Sequence, residues 1–522
     1  MGFLGEKLWG FGRADVGSRQ RDKRSIWRPN VVRQPADIER RRQELGLSGT
    51  EAYQRLKGYS GQQLIQSELV QNLLAYSADW GSFTVGKERP ELYQSPSIFP
   101  DNKTGELLLP HPFVIPSKKS ETNQWGDALF YWDIYFINKA LLASGRADYL
   151  QLAINHVENF QYLFDRLGYI PNASSLRMIN RTQTPFLTGM IMDIYAVTKD
   201  KTWLSEKMAF AKREYEDVWM YTEEEGKRKG IAMPSHRISE DSFLLRPCGT
   251  DIIAEPYGAA ANSGLDNSAE WARRAYETSP ILLNGALYKY EIEFAKAAEE
   301  LGHNQEAAFW KDRAAKRAAE INEKHWDEKK GMYFNLQYNR ENGRWERDDT
   351  YYGLITFMPL WLNIATPHQA ERVMKNLSRF ESLYGLFVAS KESAVDQDAI
   401  RRINRRAYRK YPRYIPALDD VFKPEQWDYP NIWSNFEYFA VEGMLNYQKI
   451  PEAKRIMEHI LRASAAFFQA KGTLSEKRNG LNGFNGGSFH YGDQEGFGWT
   501  KVLALMCAGR ISDLARYGTI AS

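Results

Sequence analysis

Paired helical segments recur along most of this chain, and they limit its fold more than any other feature. Between residues 134 and 167, apolar side chains lie at helical spacing on one face: Leu141, Leu142, Leu152, Val157, Phe160 and Phe164. Gly168 follows them as a helix stop, because glycine adopts the left-handed conformation that ends many helices. The segment is therefore predicted to be helical and to end at Gly168.

A second helical pair is predicted around residue 302. Residues 281–301 are apolar at helical spacing, and Gly302 follows them as a stop. Asn304 is expected to cap the next helix, with Glu306 in its first turn. Similar pairs are predicted at 351–378, 435–465 and 499–516. Alternation with period two is scarce, so no large sheet is expected.

Repeated helix–loop–helix units with chemically rich loops are typical of a ring of paired helices. In such a toroid the inner helices surround a pocket, and loops at one end supply the chemistry. No exact short repeat is visible, which argues against a solenoid of identical units. The expected fold class is all-α.

Charge and hydropathy exclude several classes of protein. The 522 residues include 69 Lys and Arg against 66 Asp and Glu, a net charge of +3. This balance gives no electrostatic basis for binding nucleic acid or an anionic membrane. Charges interrupt every apolar stretch of the N-terminus, and no apolar run approaches the roughly 18 residues of a membrane span. A cytoplasmic protein is expected.

The two cysteines, Cys248 and Cys507, lack the spacing of metal ligands or of a redox motif. Two buried free thiols are expected, and a single disulfide stays open as the alternative.

Two basic stretches stand outside the helical pattern. Residues 1–60 are expected to form a basic arm on the globule, before a catalytic domain over 61–522 that turns helical from residue 61. Within the segment 391–424, seven basic side chains lie between residues 401 and 413, ahead of Tyr414: Arg401, Arg402, Arg405, Arg406, Arg409, Lys410 and Arg413. This segment is interpreted either as an exposed basic helix face or as a lid over the pocket.

Three loops combine tryptophan with carboxylate and amide side chains, an arrangement that suits a sugar ring. The ring's C–H face stacks on an aromatic side chain while its hydroxyls bond to fixed polar groups. The expected sugar contacts in these loops are Trp132, Asp133, Gln426, Trp427, Asp428 and Trp499. The structural alternative is that each Trp–Asp pair only fixes a loop to a helix.

Glycoside hydrolysis requires two carboxyl groups, one to protonate the leaving oxygen and one to activate water or attack directly. The candidates in loops are Asp133, Asp266, Asp428, Glu476, Asp493 and Glu495. Asp266 lies in the small-residue turn SGLDNS, and Glu476 begins a glycine-rich segment that reaches Gly498. Glycine lets backbone approach a ligand closely. Chemistry alone does not choose the pair.

Six motifs in register resemble the trehalase family of glycoside hydrolases, from about residue 105 to 510. They are LPHPFVIP at 109–116, YWDIYF at 131–136, GYIPN at 168–172 with NRTQTPF at 180–186, SGLDNS at 263–268, QWDYPNIW at 426–433 and QEGFGWT at 494–500. The resemblance extends to the related barrels that hydrolyse glucosylglycerate and mannosylglycerate. It implies an (α/α)6 barrel with an N-terminal extension and long inter-helix loops.

The same resemblance implies roles for individual residues. Asp266 becomes the general acid and Glu476 the general base of an inverting hydrolase, whose carboxyl groups are roughly 6.5–9.5 Å apart. The sugar-contacting positions that match the family are Trp132, Asn172, Arg181 and Arg237. Neither a metal ion nor an organic cofactor is implied.

Departures from the family pattern concern substrate recognition. Trp125 stands where the first signature has an arginine, and His490 stands where the family has a glutamate. The expected substrate is therefore trehalose or a trehalose-like disaccharide, with an altered second sugar left open. The alternative within hydrolases is another α-glucoside such as glucosylglycerate, whose carboxylate the Arg-rich segment would attract.

Two alternatives belong to other classes of protein. A non-hydrolytic sugar-binding protein would explain the altered first signature, although both Asp266 and Glu476 are retained. An epimerase on a helical toroid would need paired histidines, for which His236 and His490 are the candidates.

Overall fold

The computed structural model describes twelve stretches of the chain: residues 34–85, 105–117, 127–179, 181–220, 236–239, 241–246, 264–265, 268, 270, 275–394, 426–487 and 494–517.

Helices dominate the described residues. In chain order they are α1 (Pro35–Leu45), α2 (Gly49–Leu56), α3 (Gly61–Gln66), α4 (Glu68–Ala78), α5 (Tyr131–Ala143), α6 (Ala147–Leu167), α7 (Leu187–Thr198), α8 (Lys201–Glu214), α9 (Ile281–Leu301), α10 (Asn304–Glu320), α11 (Met358–Trp361), α12 (Pro367–Met374), α13 (Ser434–Asn446), α14 (Ile450–Lys471) and α15 (Gly498–Tyr517).

Six of these helices form a closed inner ring. Going round the ring, α5 contacts α7, α7 contacts α9, α9 contacts α11, α11 contacts α13, α13 contacts α15, and α15 returns to α5. The helices that alternate with them in the chain lie outside, and α4 packs on α15 to complete the outer layer. This is the expected (α/α)6 barrel.

Burial distinguishes the two layers. All residues of α5 from Tyr131 to Leu142 are buried, and so are all residues of α13 from Ser434 to Leu445. The outer helices α6 and α14 bury one stripe and leave the rest to solvent. A helix enclosed on all sides must be apolar around its circumference, whereas a surface helix needs only one apolar face.

Glycines set the close contacts of the inner ring. A Cβ atom on Gly189 of α7 would lie 2.7 Å from the Tyr135 ring of α5, and one on Gly498 would lie 2.7 Å from Ile137. Gly285 of α9 has the same relation to Met358, at 2.8 Å. These positions require glycine because a neighbouring helix occupies the space of a side chain.

The strands are short and line the loops. They are β1 (Thr84–Val85), β2 (Phe113–Val114), β3 (His236–Arg237), β4 (Leu245–Arg246), β5 (Thr278–Ser279), β6 (Trp326–Asp327), β7 (Met332–Tyr333), β8 (Leu336–Asn339), β9 (Arg344–Arg347), β10 (Glu381–Ser382), β11 (Gly385–Leu386), β12 (Asn431–Trp433) and β13 (Lys477–Asn479). All pairings are antiparallel, and no described sheet exceeds three strands. The scarcity of alternating apolar and polar residues in the sequence predicted that no large sheet would form.

Several helix boundaries match the sequence expectation. The helix at 281–301 ends at Gly302, whose φ is 81°, and α6 ends at Gly168, whose φ is 78°. Glu306 lies in the first turn of α10.

Other boundaries were predicted wrongly. The segment 134–167 belongs to two helices, because the chain breaks at Ser144 to Arg146, where Gly145 has a φ of 67°. Asn304 is the first helical residue of α10, and His303 precedes it without a side-chain cap. The first helix of the described residues begins at Pro35 instead of residue 61, since the charges of α1 pair locally on an exposed helix and do not prevent helix formation.

The N-terminal helices pack on the barrel. Helix α1 contacts α4, and α2 contacts the outer helix α14. The Tyr53 hydroxyl donates to the Leu383 carbonyl at 2.7 Å, and Arg42 Nη1 donates to the Gln469 carbonyl at 2.9 Å.

Cys507 is a buried free thiol in α15. Cys248, residues 1–33 and residues 395–425 of the Arg-rich segment lie outside the described residues. None of the described helices is long and apolar enough to cross a membrane.

Candidate active site

Four tryptophans meet at one end of the inner ring and form the tryptophan cluster: Trp132, Trp427, Trp433 and Trp499. The Trp427 and Trp433 rings stack with their centres 3.6 Å apart, and Trp132 lies 5.9 Å from both Trp427 and Trp499. Trp433 and Trp499 are 5.4 Å apart. All four side chains are buried.

Helix starts bring these rings together. Trp132 and Trp499 each occupy the second position of an inner helix, α5 and α15, and Trp433 immediately precedes the inner helix α13. The Trp433 Nε1 donates to the Gln426 carbonyl at 2.6 Å, which fixes the 426–428 loop against β12. The three tryptophan-containing loops named in the sequence analysis therefore converge at the same end of the barrel.

Glu476 lies directly against the tryptophan cluster. The Trp499 Nε1 donates to the Glu476 backbone carbonyl at 2.9 Å, and the Glu476 backbone amide donates to the Gln494 carbonyl at 2.8 Å. The residue is 5% exposed, which leaves it narrow access to solvent. The expected general base is thus held between β13 and the segment that leads into α15.

Two ionisable side chains face Glu476. The Lys477 Nζ donates to Glu476 Oε2 at 2.8 Å, and the Lys477 side chain is fully buried. Asp133, at the start of α5, is buried as well, and its pKa lies well above the ordinary value, first because of burial and second because of the negative charge of Glu476. Two such carboxyl groups do not both ionise readily, whereas an adjacent ammonium favours the charged form. The arrangement favours a proton on Asp133 and the charge on Glu476.

Asp428 ties the 426–428 loop to two other segments. Its Oδ1 lies 2.7 Å from the Tyr351 hydroxyl, and it accepts a hydrogen bond from Ser268 Oγ at 3.3 Å. A Cβ atom on Gly264 would lie 3.3 Å from the Trp132 ring. Residues on both sides of Asp266 therefore contact the site.

Asp266, the expected general acid, lies outside the described residues, as do Trp125 and His490. The distance between the two expected catalytic carboxyl groups stays a prediction.

Glu270 is a buried carboxyl group close to Asp428. Burial raises its pKa well above the ordinary value, and the charges of Asp348 and Asp428 add to this effect. Asn335 Nδ2 donates to Glu270 Oε1. The residues after Asp266 thus lie in a desolvated and negatively charged part of the structure.

Asn172 and Arg181 join the site through the backbone. The Tyr131 amide donates to the Asn172 carbonyl at 3.1 Å, and the Asn172 amide donates to the Arg181 carbonyl at 2.6 Å. Gln183 Oε1 accepts from the Trp132 amide at 3.2 Å. The GYIPN and NRTQTPF motifs therefore lie beside the first residues of α5.

Arg237 is exposed on β3. Its guanidinium carbon lies 6.0 Å from the centre of the Phe243 ring, and its backbone pairs with Leu245 of β4. Arg237 is thus part of the β3–β4 hairpin. A role for it in binding sugar stays a prediction.

Three neighbours of the site were not predicted from the sequence. Lys477 directly follows Glu476, and Trp433 lies in the QWDYPNIW motif, so adjacency and motif membership were the available signals. Tyr351 carried no signal, because its partner Asp428 is distant in the chain.

No described group of three or more His, Cys, Asp or Glu side chains is arranged to hold a metal ion.

Comparison with known proteins assigns the family. The trehalase family model matches residues 29–241 and 259–511, which is most of the chain. The chain therefore belongs to the trehalase family of glycoside hydrolases.

Individual relatives are similar over a large part of the chain. The cytosolic neutral trehalase of Neurospora crassa is 26% identical over 77% of this chain and 59% of its own length. The trehalase of Apis mellifera is 24% identical over 78% of this chain and 64% of its own. The chain thus spans less than two thirds of the length of these relatives.

The fold has a solved counterpart. The structure of neutral trehalase Nth1 from Saccharomyces cerevisiae superposes with a TM-score of 0.58 at 22% identity, covering 76% of this chain and 73% of that one. This likeness supports the barrel architecture.

Proposed function

We propose that this protein is an inverting α-glycoside hydrolase that cleaves trehalose into two glucose molecules. Asp266 is the general acid and Glu476 the general base. The observation that carries the proposal is the setting of Glu476, a nearly enclosed carboxylate that is bonded to an ammonium and whose backbone contacts Trp499 of the tryptophan cluster. Membership of the trehalase family supports the substrate class.

The environment of Glu476 suits a base that activates water. A general base must be ionised at the working pH, and the Lys477 ammonium favours that form. Glu476 takes a proton from water as the water oxygen bonds to the anomeric carbon, and the glycosidic C–O bond breaks on the opposite face. Asp266 gives its proton to the departing oxygen, so atoms and charge balance.

The neighbours of Asp266 support its role as the acid. Leu265 and Ser268 are buried, and Ser268 bonds to Asp428. A carboxyl group in a desolvated, negatively charged environment keeps its proton to higher pH. The contact of Gly264 with Trp132 supports a position for Asp266 near the tryptophan cluster.

Sugar binding falls to the polar and aromatic residues of the converging loops. Asp133 retains a proton to higher pH than an ordinary aspartate, so it can donate to a sugar hydroxyl. The proposed contacts are Trp132, Asp133, Asn172, Arg181, Arg237, Gln426, Trp427, Asp428 and Trp499. We also place the protein in the cytoplasm, since the fungal relative is named a cytosolic trehalase.

The test is proton NMR of the products during the first moments of trehalose cleavage, before mutarotation. An inverting enzyme releases one β-glucose from the attacked ring and one α-glucose as leaving group. A retaining enzyme releases two α-glucose molecules. Equal initial signals of the two anomers support the proposal, and α-glucose alone contradicts the inverting mechanism.

A panel of α-glucosides tests the choice of substrate. Glucose release is measured from trehalose and from glucosylglycerate at equal concentration. A higher kcat/KM for trehalose supports the proposal, whereas preference for the anionic glucoside contradicts it. Binding of trehalose without any turnover would identify a non-hydrolytic sugar-binding protein.

A further inference from the structure

Lys477 is an enclosed cation with a carboxylate as its neighbour on the chain. Its Nζ lies 2.8 Å from Glu476 Oε2, and its side chain has no exposed surface. An unpaired buried ammonium would be strongly unfavourable, so the pair is held together by the low local polarity. One of the two carboxylate oxygens of Glu476 is thereby occupied.

The backbone and the aliphatic part of the Lys477 side chain, which we call its stem, are fixed by their neighbours. Its backbone pairs with Trp433 across β12 and β13, and its carbonyl accepts from the Gly486 amide at 3.0 Å. Its Nζ lies 5.4 Å from the centre of the Trp433 ring. A Cβ atom on Gly486 would lie 2.7 Å from Lys477 Cγ, so only glycine leaves room for the stem here.

Other charged groups approach Glu476 from the elements around it. Asp133 faces it from α5. Glu495 pairs through its backbone with Ser475, one residue before Glu476, and its side chain is exposed. Ionisation of Asp133 would place a second negative charge beside Glu476, whereas the Lys477 ammonium supplies a positive charge at contact distance.

We propose that Lys477 is the positioning residue of the general base: its ammonium holds Oε2 of Glu476 and keeps the negative charge on Glu476, which takes the proton from water. The inference rests on the proposed function. In this role Lys477 acts through Glu476. The charge is what matters, so arginine should replace lysine in part and a neutral side chain should not.

The experiment compares Lys477→Met and Lys477→Arg with the unaltered protein. Methionine keeps the length and volume of the stem and removes the charge. Each protein is assayed for glucose release from trehalose across a pH series from acid to mildly alkaline, with thermal unfolding measured in parallel. Trehalose binding is measured by calorimetry on the Asp266→Asn variant with and without Lys477→Met.

The expected result for Lys477→Met is a loss of about 100-fold in kcat, since a misplaced or protonated base forfeits general base catalysis. KM should stay within about threefold, because the ground-state sugar contacts are unchanged. The acid limb of the pH profile should move upward by about one pH unit, because the base loses its stabilising cation. Lys477→Arg should recover a large part of kcat.

The outcomes separate this inference from the proposed function. If the unaltered protein releases no glucose from any α-glucoside, the proposed function is wrong and the inference is overturned with it. If the unaltered protein is active and Lys477→Met matches its kcat and acid limb, only the inference is overturned. If Lys477→Met does not fold, Lys477→Arg decides: an unchanged pH profile with retained kcat supports the inference, and a kcat as low as that of Glu476→Gln overturns it.

Discussion

Arg478 and Glu437 form an ion pair of 2.8 Å that is almost completely buried. Arg478 lies in β13, the strand that directly follows the proposed base Glu476, and Glu437 lies in the first turn of α13. Arg478 Nη1 also donates to Ser464 of α14 at 3.1 Å, and Glu437 Oε1 accepts from the Leu386 amide at 3.0 Å. The pair thus links β13 to an inner helix, an outer helix and a neighbouring strand.

Breaking this pair on one side should strongly destabilise the protein. Arg478→Met or Glu437→Gln leaves the other member enclosed without its opposite charge, which costs about 3–5 kcal/mol. The double variant should be less destabilised than the sum of the two single changes. Urea unfolding of the four proteins measures the coupling. Strictly additive losses would show that the two side chains do not depend on each other.

Gly486→Ala should lower kcat through Lys477. The added methyl group would lie 2.7 Å from Lys477 Cγ and 3.0 Å from Asn431 Oδ1, so the lysine stem must move. We expect a loss of kcat of about 10-fold or more, because the displaced lysine no longer holds the general base in place. Gly487→Ala is the matched control, since a Cβ atom there meets nothing within 4 Å. Equal activities of the two variants would contradict the proposed role of the stem.

Glu214 should make the stability of the protein depend on pH. It is buried between the hydroxyls of Tyr131 and Tyr290, each 2.7 Å away, and burial raises its pKa from an ordinary 4.5 to about 7. The folded protein therefore keeps a proton that the unfolded chain releases. This contribution to stability is fully present below pH 4.5 and is lost as the pH rises through about 7.

Glu214→Gln removes this titration. Relative to the unaltered protein, the variant should gain stability as the pH rises from about 4.5 to 8, by on the order of 3 kcal/mol. Thermal unfolding at a series of pH values measures the difference. A difference between the two proteins that stays constant with pH would show that Glu214 does not titrate in this range.

Asp266→Asn and Glu476→Gln should each abolish most of the activity. Loss of a general acid or a general base costs about 100- to 10,000-fold in rate. The circular dichroism spectrum of both variants should stay near that of the unaltered protein, whereas Glu476→Gln should lower the melting temperature because it leaves the buried Lys477 ammonium without its opposite charge. Glu495→Gln is the control, because that carboxylate is exposed and pairs through its backbone with the residue before Glu476. Near-normal turnover in either catalytic variant would show that the pair is misassigned.

Local sequence patterns predicted much of the fold. The helix 281–301 and its stop at Gly302 follow from periodicity and from glycine's freedom to adopt a positive φ, and both are confirmed. The break near Gly145 was missed, because apolar side chains continue at helical spacing on both sides of a short turn. Charge-rich α1 was missed because its charges resemble those of a solvated arm.

The site was accessible from motifs but not from chemistry alone. Trp132, Trp427 and Trp499 lie far apart in the chain, and only the closed ring brings their ring centres within about 6 Å of one another or of Trp433. No pattern in the sequence predicted the hydrogen bond between Tyr351 and Asp428. Such contacts depend on tertiary packing, which no local pattern encodes.

The seam of the inner ring lies where α15 meets α5, two helices separated by more than three hundred residues. Contacts between such distant segments form late, because the intervening chain must first be ordered. In the folded protein α5 and α13 are buried on all sides. Until α15 docks, the side of each helix that contacts α15 is exposed to solvent. A barrel in which α15 has not yet docked therefore exposes apolar surface, and we expect such a folding intermediate to be prone to aggregation.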